Sequence, residues 1–204
     1  TERAVPPLRE FLDGGEEVVG RGGSGAMAGV YRTRHVGVGS LHAVTIVEAA
    51  RATDPALKER FLDEGRIQAQ LGQHPNIVAV TEIVTDPVPG LVLELVTGGG
   101  LDQRIAARGG QPGGPDDIAL MPPILAGVGH AHAHGVVHRD LKPENILLHT
   151  SPAGGDPIPK VADFGIAKVL QESSLSAGGK NPTRAGARMG TAVYMSPEQV
   201  KGAD

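Results

Sequence analysis

Cysteine and tryptophan are both absent from this sequence of 204 residues. Without cysteine, the chain forms no disulfide bonds, cysteine-ligated zinc sites or iron–sulfur clusters, and it uses no thiol nucleophile. Aromatic residues make up only 2% of the chain. Because aromatic rings supply much of the buried area in most proteins, we expect a core of aliphatic side chains and a marginal stability.

An excess of charge of one sign and long apolar runs are also missing. The 19 basic and 23 acidic residues leave a net charge of −4, which does not indicate a nucleic-acid partner. The longest apolar stretch, residues 118–129, is well short of the roughly 20 residues that cross a bilayer, so we predict no membrane segment. The first residues lack the basic start and apolar core of a signal peptide, which favours a cytoplasmic location.

Glycine and proline are abundant instead, with 30 and 16 residues respectively, a composition that approaches low complexity. Strand-like patterns precede helix-like ones along much of the chain. The β-branched and alternating segments predict strands over 30–35, 41–47, 77–84, 91–96, 146–148 and 160–162. Helical patterns predict helices over 101–108 and 116–134, and this arrangement favours an α+β chain.

One further helix is predicted from its ends. Asp54 can accept hydrogen bonds from the first turn, Pro55 suits that turn, and Gly72 follows the last apolar position. The apolar residues within these limits predict the buried face of the helix, namely Leu57, Phe61, Ile67 and Leu71.

The helix predicted over 116–134 contains three residues that oppose helix formation, Pro122, Pro123 and Gly127. A proline inside a helix costs about 3 kcal/mol and a glycine about 1 kcal/mol. We therefore expect this helix to be interrupted and the chain to lose stability there.

The strongest chemical signal is the octapeptide HRDLKPEN at residues 138–145, followed eighteen residues after Asn145 by the tripeptide DFG. A carboxylate such as that of Asp140 can orient a hydroxyl nucleophile and accept its proton. Asn145 and Asp163 offer the oxygen ligands that Mg²⁺ prefers, and Lys142 supplies a cation for a phosphoryl group. Chance agreement over so many positions is improbable, so a plain polar loop is the less favoured interpretation.

Together these motifs resemble the catalytic loop and the metal-binding loop of protein kinases, in the order and at a spacing typical of that family. The chain is similar to bacterial-type serine/threonine protein kinase domains from about residue 18 to residue 198. The resemblance implies an α+β, bilobal protein-kinase-like fold with a β-rich N-lobe and a partial helical C-lobe. It divides the chain into a lead-in over 1–17, an N-lobe and hinge over 18–96, and a partial C-lobe over 97–204. We expect the sequence to begin within a longer chain and to stop shortly after the activation segment.

The resemblance also implies an activity, which is transfer of the γ-phosphoryl group of ATP to serine or threonine hydroxyls of a protein substrate, with Mg²⁺ as cofactor. Asp140, Lys142 and Asn145 are the catalytic residues that it implies, and Asn145 and Asp163 are the metal ligands. The nucleotide-binding residues that it implies belong to a Gly-rich loop, the walls of the adenine site, the hinge, the αC helix and the third strand: Gly20, Gly22, Gly25, Ala43, Leu147, Glu94, Val96, Glu64 and Thr45. For the apolar positions among them, an ordinary core role is the other interpretation, and a flexible linker is the other interpretation of the Gly-rich run.

The sequence departs from the family at Thr45, where kinases carry a lysine that holds the α- and β-phosphates and pairs with the αC glutamate. Losing one well-placed electrostatic contact costs on the order of 10²–10³ in rate. An alternative function is therefore a pseudokinase-like module that binds a nucleotide or a partner with impaired catalysis. Three residues inserted after the Gly-rich loop are a second departure, which predicts a longer and looser loop.

Two other features keep two interpretations each. Before the end of the activation segment, GTAVYMSPE at 190–198, four hydroxyls are either phosphorylation sites that pair with Arg139 or parts of a solvated loop: Ser173, Ser174, Ser176 and Thr183. His130 and His134 share a helix face at the i, i+4 spacing. Metal binding there is the less favoured interpretation, because small residues and histidines are common just before this catalytic loop.

Overall fold

A computed structural model of the chain describes residues 15–24, 28–47, 54–86, 88–110, 114–151, 153–164 and 191–197. By their contacts the residues divide into two compact units, Thr1–Thr97 and Gly98–Asp204. The boundaries inferred from the sequence at 17/18 and 96/97 stay predictions.

The first unit contains a five-stranded antiparallel sheet. Its strands are β1 (Glu16–Ser24), β2 (Ala28–His35), β3 (Leu41–Val47), β4 (Val80–Val84) and β5 (Gly90–Glu94), in the spatial order β1-β2-β3-β5-β4. The predicted strand over 41–47 matches β3 at both ends. The strand predicted over 77–84 corresponds to β4, which begins three residues later than predicted and ends where predicted. β1 was not predicted, because its glycines have low strand propensity and only the pairing with β2 makes this segment a strand.

Helix α1 (Pro55–Gln70) connects β3 to β4 and has the predicted ends. The Asp54 carboxylate accepts hydrogen bonds from the N–H groups of Ala56 at 3.0 Å and Leu57 at 3.4 Å, which satisfies two donors of the first turn. At the other end Gly72 has a φ of +65°, a conformation that favours glycine and ends the helix.

The buried face of α1 differs from the prediction at one position. Ile67 is 40% exposed, so its assignment to the core was wrong. The buried residues of α1 are Leu57, Phe61, Leu62, Glu64, Gly65 and Gln68, and Leu71 is buried directly after the helix. Two polar side chains, Glu64 and Gln68, therefore lie on the buried face. Gln68 is held there because its side-chain Nε2 donates to the Val78 carbonyl at 2.9 Å.

The two faces of the sheet have different neighbours. Helix α1 packs on the first face, where Gly65 lies so close to Leu91 that an added Cβ would overlap it. Thr45 is the cross-strand partner of Leu91, and cross-strand partners share a face, so Thr45 lies on this helix-facing side. The second face carries an aliphatic cluster of Val44, Ile46, Val88 and Val92, with Val18, Tyr31 and Val84 packed against it.

The second unit is mainly helical and carries one short hairpin. Its helices are α2 (Leu101–Ala107), α3 (Pro115–Ile118) and α4 (Met121–Ala133), and its strands are β6 (Ile146–His149) and β7 (Ile158–Val161). The two strands pair in antiparallel fashion, and α4 packs against β7. Across the described ranges, no helix combines the length and the hydropathy that a bilayer crossing requires.

The helix predicted over 116–134 is in fact two helices, α3 and α4. Pro122 and Pro123 lie in the first turn of α4, where a backbone N–H has no partner within the helix and proline is tolerated. The expected cost of about 3 kcal/mol for an interior proline was therefore wrong. Gly127 does lie inside α4 and is buried, so its smaller cost remains.

Candidate active site

The β6–β7 hairpin brings the two sequence motifs together. Asn145 directly precedes β6, and Asp163 is the second residue after the end of β7. The antiparallel pairing of Ile146 with Val161 places these two ends side by side. The Ala162 N–H donates to the Asn145 carbonyl at 2.9 Å. Residues eighteen positions apart in sequence thus become neighbours through one short hairpin.

His138 attaches the start of the catalytic loop to the same place. Its ring is 3% exposed, and its Nε2–H donates to the Ala162 carbonyl at 2.9 Å. Because a carbonyl only accepts, the proton lies on Nε2, which leaves Nδ1 to accept a longer bond of 3.3 Å from the Asp140 N–H. The ring also packs on Phe164, with the centroids 4.8 Å apart.

Burial is the largest influence on His138, and it lowers the pKa of the imidazole. The hydrogen bond to Ala162 and the charge of Asp140 oppose that shift, while Lys142 adds to it. His138 is therefore a neutral, structural residue that links the catalytic loop to the segment after β7.

A polar network surrounds the Asp140 carboxylate. Lys142 Nζ donates to Asp140 Oδ2 at 2.6 Å, and Asn145 Nδ2 donates to the same oxygen at 3.2 Å and to the Asp140 carbonyl at 2.8 Å. The structure thus brings together three of the residues singled out in the sequence. Both side-chain donors use Oδ2, so Oδ1 can accept a proton from a hydroxyl group.

The residues expected to hold Mg²⁺ fit that ion. Asn145 is 6% exposed, and its two bonds through Nδ2 leave the amide oxygen to bind a cation. In the part of the chain that the structure describes, no three histidine, aspartate or glutamate side chains form a metal cluster. Mg²⁺ commonly completes its shell with water and substrate phosphates, so two protein oxygens suffice.

Asp163, the second expected ligand, has crowded surroundings. Burial raises the pKa of its carboxyl, the Lys142 charge lowers it, and the Asp140 charge raises it again. The residue nevertheless keeps an exposed surface. A carboxylate surrounded by protein atoms can still face solvent on one side, so Asp163 is accessible to a metal ion.

Two residues of this region have a left-handed backbone. Arg139 has a φ of +64° and Asp163 a φ of +59°, and they are the non-glycine residues with positive φ in the described ranges. Such a conformation costs of order 1–3 kcal/mol and is common at functional sites. No residue pattern in the sequence signals this strain or the role of Ala162, whose main chain bonds to both Asn145 and His138.

In the first unit the expected nucleotide residues lie on several elements. Gly20 and Gly22 belong to β1. Gly25 and the two residues that follow it, Ala26 and Met27, lie outside the described ranges. Ala43 and Thr45 are on β3, and Glu64 is on α1, 8% exposed. Thr45 and α1 share the same side of the sheet, as the pairing with Leu91 established above.

The expected hinge follows β5. The Glu94 N–H donates to the Ala79 carbonyl at 3.0 Å, and the Glu94 carboxylate accepts from the Ala79 N–H at 2.8 Å. Within the described residues the Val96 main chain makes no hydrogen bond. The backbone of Val96 is therefore able to bind a ligand, and the same role for the backbone of Glu94 stays a prediction.

Leu147, the other expected wall of the adenine site, lies on β6 of the second unit, paired with Lys160 and bridged to Gly100. Its pairing with Ala43 around a base stays a prediction. The phosphorylation candidates Ser173, Ser174, Ser176 and Thr183 fall outside the described residues.

Comparison with known proteins agrees with this geometry. The family model described as "Protein kinase domain" matches residues 16–204. Over 203 residues the chain is 36% identical to the serine/threonine-protein kinase Pkn1 of Myxococcus xanthus, covering 98% of this chain and 27% of that protein. It is 35% identical to PknL of Mycobacterium bovis, a second serine/threonine-protein kinase, covering 87% of this chain and 41% of the relative.

Solved structures show the same fold. The kinase domain of PknI from Mycobacterium tuberculosis superposes with a TM-score of 0.61 at 30% identity, covering 74% of this chain and 60% of that one. A double mutant of the same domain gives a TM-score of 0.64 at 27% identity, covering 93% and 67%. The chain belongs to the protein kinase domain family, and its bacterial relatives are serine/threonine kinases. The predicted α+β kinase-like fold is confirmed.

Proposed function

We propose that this domain transfers the γ-phosphoryl group of ATP to serine or threonine hydroxyls of a protein substrate. The observation that carries the proposal is the network in which Lys142 and Asn145 hold one oxygen of Asp140 and leave the other able to accept a proton. Because the chain spans only 27% of Pkn1 and 41% of PknL, the activity, substrates and signalling role of the whole protein are part of this proposal.

Each residue of the network has a distinct task in this mechanism. Asp140 orients the acceptor hydroxyl and takes its proton, and Lys142 places a cation beside the transferring group. Asn145 and Asp163 would hold Mg²⁺, which supplies charge neutralisation for the phosphates when it is bound with ATP. His138 keeps these groups in place through its bond to Ala162.

The nucleotide would be bound mainly by main-chain groups. Gly20, Gly22 and Gly25 lack a Cβ, so their N–H groups can approach phosphate oxygens. As the resemblance implies, the main chains of Glu94 and Val96 would bind the adenine edge, and Ala43 and Leu147 would contact its faces. A cytoplasmic location belongs to the same proposal, because ATP is the phosphoryl donor.

The pseudokinase alternative rests on one specific observation, which is that Thr45 offers no cation at the position where kinases carry one. The retained network around Asp140 favours the catalytic function over this alternative, and so do the names of the relatives. Both functions require a folded domain, so a ligand-binding measurement has to precede the assay of transfer.

The test is a thermal melt with and without Mg²⁺–ATP, followed by an assay of transfer from γ-labelled ATP to a mixed protein acceptor. Ligand that binds only the folded state raises Tm by mass action. We expect a rise in wild type that is lost in Asp163→Ala, together with labelled phosphoserine or phosphothreonine. A cooperative melt with a rise in Tm but no transfer would favour a nucleotide-binding pseudokinase. A cooperative melt with no rise in Tm would contradict the kinase function and leave only a pseudokinase that binds a partner.

A further inference from the structure

The last turn of α4 carries two histidine rings on one face. His130 and His134 are one helical turn apart, and their ring centroids are 4.4 Å apart with the planes tilted by 41°. Two Zn–N bonds of about 2.0–2.1 Å can bridge imidazoles at roughly this separation. The sequence showed the spacing, but it could not show whether the two rings meet.

A hydrogen bond of the second ring defines its free nitrogen. His134 Nδ1 lies 2.9 Å from the His130 carbonyl oxygen, which can only accept, so Nδ1 carries the proton and Nε2 carries the lone pair. Metal-binding histidines usually donate their other N–H to a carbonyl or carboxylate in this way, which fixes the ring and raises its basicity. His134 thus has the outer hydrogen bond of a metal ligand already formed.

The position of the pair also suits a cation. The carbonyl groups at the C-terminal end of a helix carry partial negative charge, which stabilises positive charge there. His134 directly follows α4 as its C-cap and is exposed, while His130 is partly exposed. His138, by contrast, is buried and uses both ring nitrogens within the catalytic loop, so it does not contribute.

We propose that His130 and His134 form a surface site for a borderline transition-metal ion, of the class Zn²⁺, Ni²⁺ or Cu²⁺, whose remaining positions are open to water. Imidazole suits these ions, whereas Mg²⁺ prefers oxygen ligands. This site is distinct from the Asn145 and Asp163 oxygens and does not depend on the proposed kinase activity. Bound metal would clamp the last turn of α4, four residues before His138.

The test is a titration of the unmodified chain with ZnCl₂ at about pH 7.5, where ordinary imidazoles are neutral. Isothermal titration calorimetry measures the stoichiometry and affinity, and NMR measures the ¹⁵N shifts of the imidazole rings. We expect one ion per chain and shifts confined to the rings of His130 and His134, with Nδ1 of His134 still protonated. Because this readout needs no variant, it does not depend on whether a substitution folds. Shifts at other histidines, or no binding, would overturn the proposal.

Variants then locate the site. His130→Ala and His134→Ala should each weaken Zn²⁺ binding at least about tenfold, because the second ligand on the same helix acts at a high effective concentration. His132→Ala is the matched control, since His132 is exposed on the same helix but two residues out of phase. The Zn²⁺ affinity of the His132→Ala variant should differ from that of wild type by less than about twofold. Equal losses in all three variants would contradict the assignment, as would saturable binding of MgCl₂ by the same two rings.

Discussion

Strand β3 of the first unit and the catalytic loop of the second have changed to different degrees relative to the kinase pattern. The loop keeps the motif HRDLKPEN, and its charged and amide side chains bond to one another around Asp140. β3 pairs without a register shift with both β2 and β5, yet it carries Thr45 where the kinase pattern has a lysine that holds phosphate.

The difference separates two requirements on the chain. A β-branched threonine suits a pleated strand as well as any residue, so folding places no demand for lysine at that position. The loop residues satisfy one another's buried polar atoms, so each of them has a structural as well as a chemical reason to be present. The groups proposed for proton transfer are therefore in place, and the position proposed to hold the phosphates is the one that lacks its usual side chain.

The largest expected effect tests the loop side of this comparison. Asp140→Asn keeps the shape of the side chain but removes the proton acceptor, so phosphoryl transfer should fall by at least about 10²-fold, within the range that general-base catalysis contributes. Initial rates with γ-labelled ATP measure this loss. Glu144→Gln is the control, because Glu144 is an exposed carboxylate in the same loop. Similar rates for Asp140→Asn and wild type would show that the network does not serve catalysis.

The next effect tests the strand side. Thr45→Lys places an ammonium group on the helix-facing side of the sheet, where α1 also packs. One well-placed electrostatic contact contributes ~10²–10³ in rate, so the rate of phosphoryl transfer should rise at least about tenfold. Thr45→Met adds similar length without charge and should not raise it. If the lysine and methionine variants behave alike, the missing cation is not what limits the enzyme, and the pseudokinase alternative gains support.

A smaller effect concerns the free energy of unfolding as a function of pH, to which His138 in the catalytic loop contributes. Burial lowers the pKa of folded His138, so the unfolded chain, with an imidazole pKa of about 6.5, binds more protons than the folded one. Stability should therefore be complete above about pH 6.5 and decrease as the pH falls below it. Urea unfolding followed at several pH values measures this dependence.

The matching variant is His138→Phe, which keeps an aromatic ring but leaves the Ala162 carbonyl without its donor. It should lose about 1–3 kcal/mol near neutral pH and show a weaker dependence on acid. His132→Phe changes an exposed histidine and should keep the wild-type dependence. An unchanged acid profile in His138→Phe would mean that other groups determine it.

The smallest effect concerns the first unit alone. Asp54→Ala removes the cap from α1 and should lower the free energy of unfolding by about 1 kcal/mol, as read from urea unfolding of the full chain. Asp63→Ala removes an exposed carboxylate whose ion pair with Arg66 contributes between about 0 and 1 kcal/mol. Equal losses in the two variants would indicate that the cap has no special weight.

Sequence reasoning identified elements whose signals are local. The cap at Asp54, the first-turn Pro55 and the β-branched run of β3 depend on neighbouring residues, and each was predicted at its observed position. It failed where a distant partner decides the outcome. The glycine-rich β1 becomes a strand only through its pairing with β2. Ile67 is exposed because α1 packs on the sheet through a different face, which includes Gly65.

The amino-acid sequence by itself determined which chemical groups this protein has. The motif residues Asp140, Lys142, Asn145 and Asp163, and the absence of a lysine at residue 45, follow from the order of residues and need no coordinates. Tertiary structure alone decided how they meet, through the antiparallel β6–β7 pair, the two main-chain bonds of Ala162 and the contact of the histidine rings on α4. The physical reason is that hydrogen bonds and packing act over a few ångströms in space, whereas sequence patterns show only neighbours along the chain.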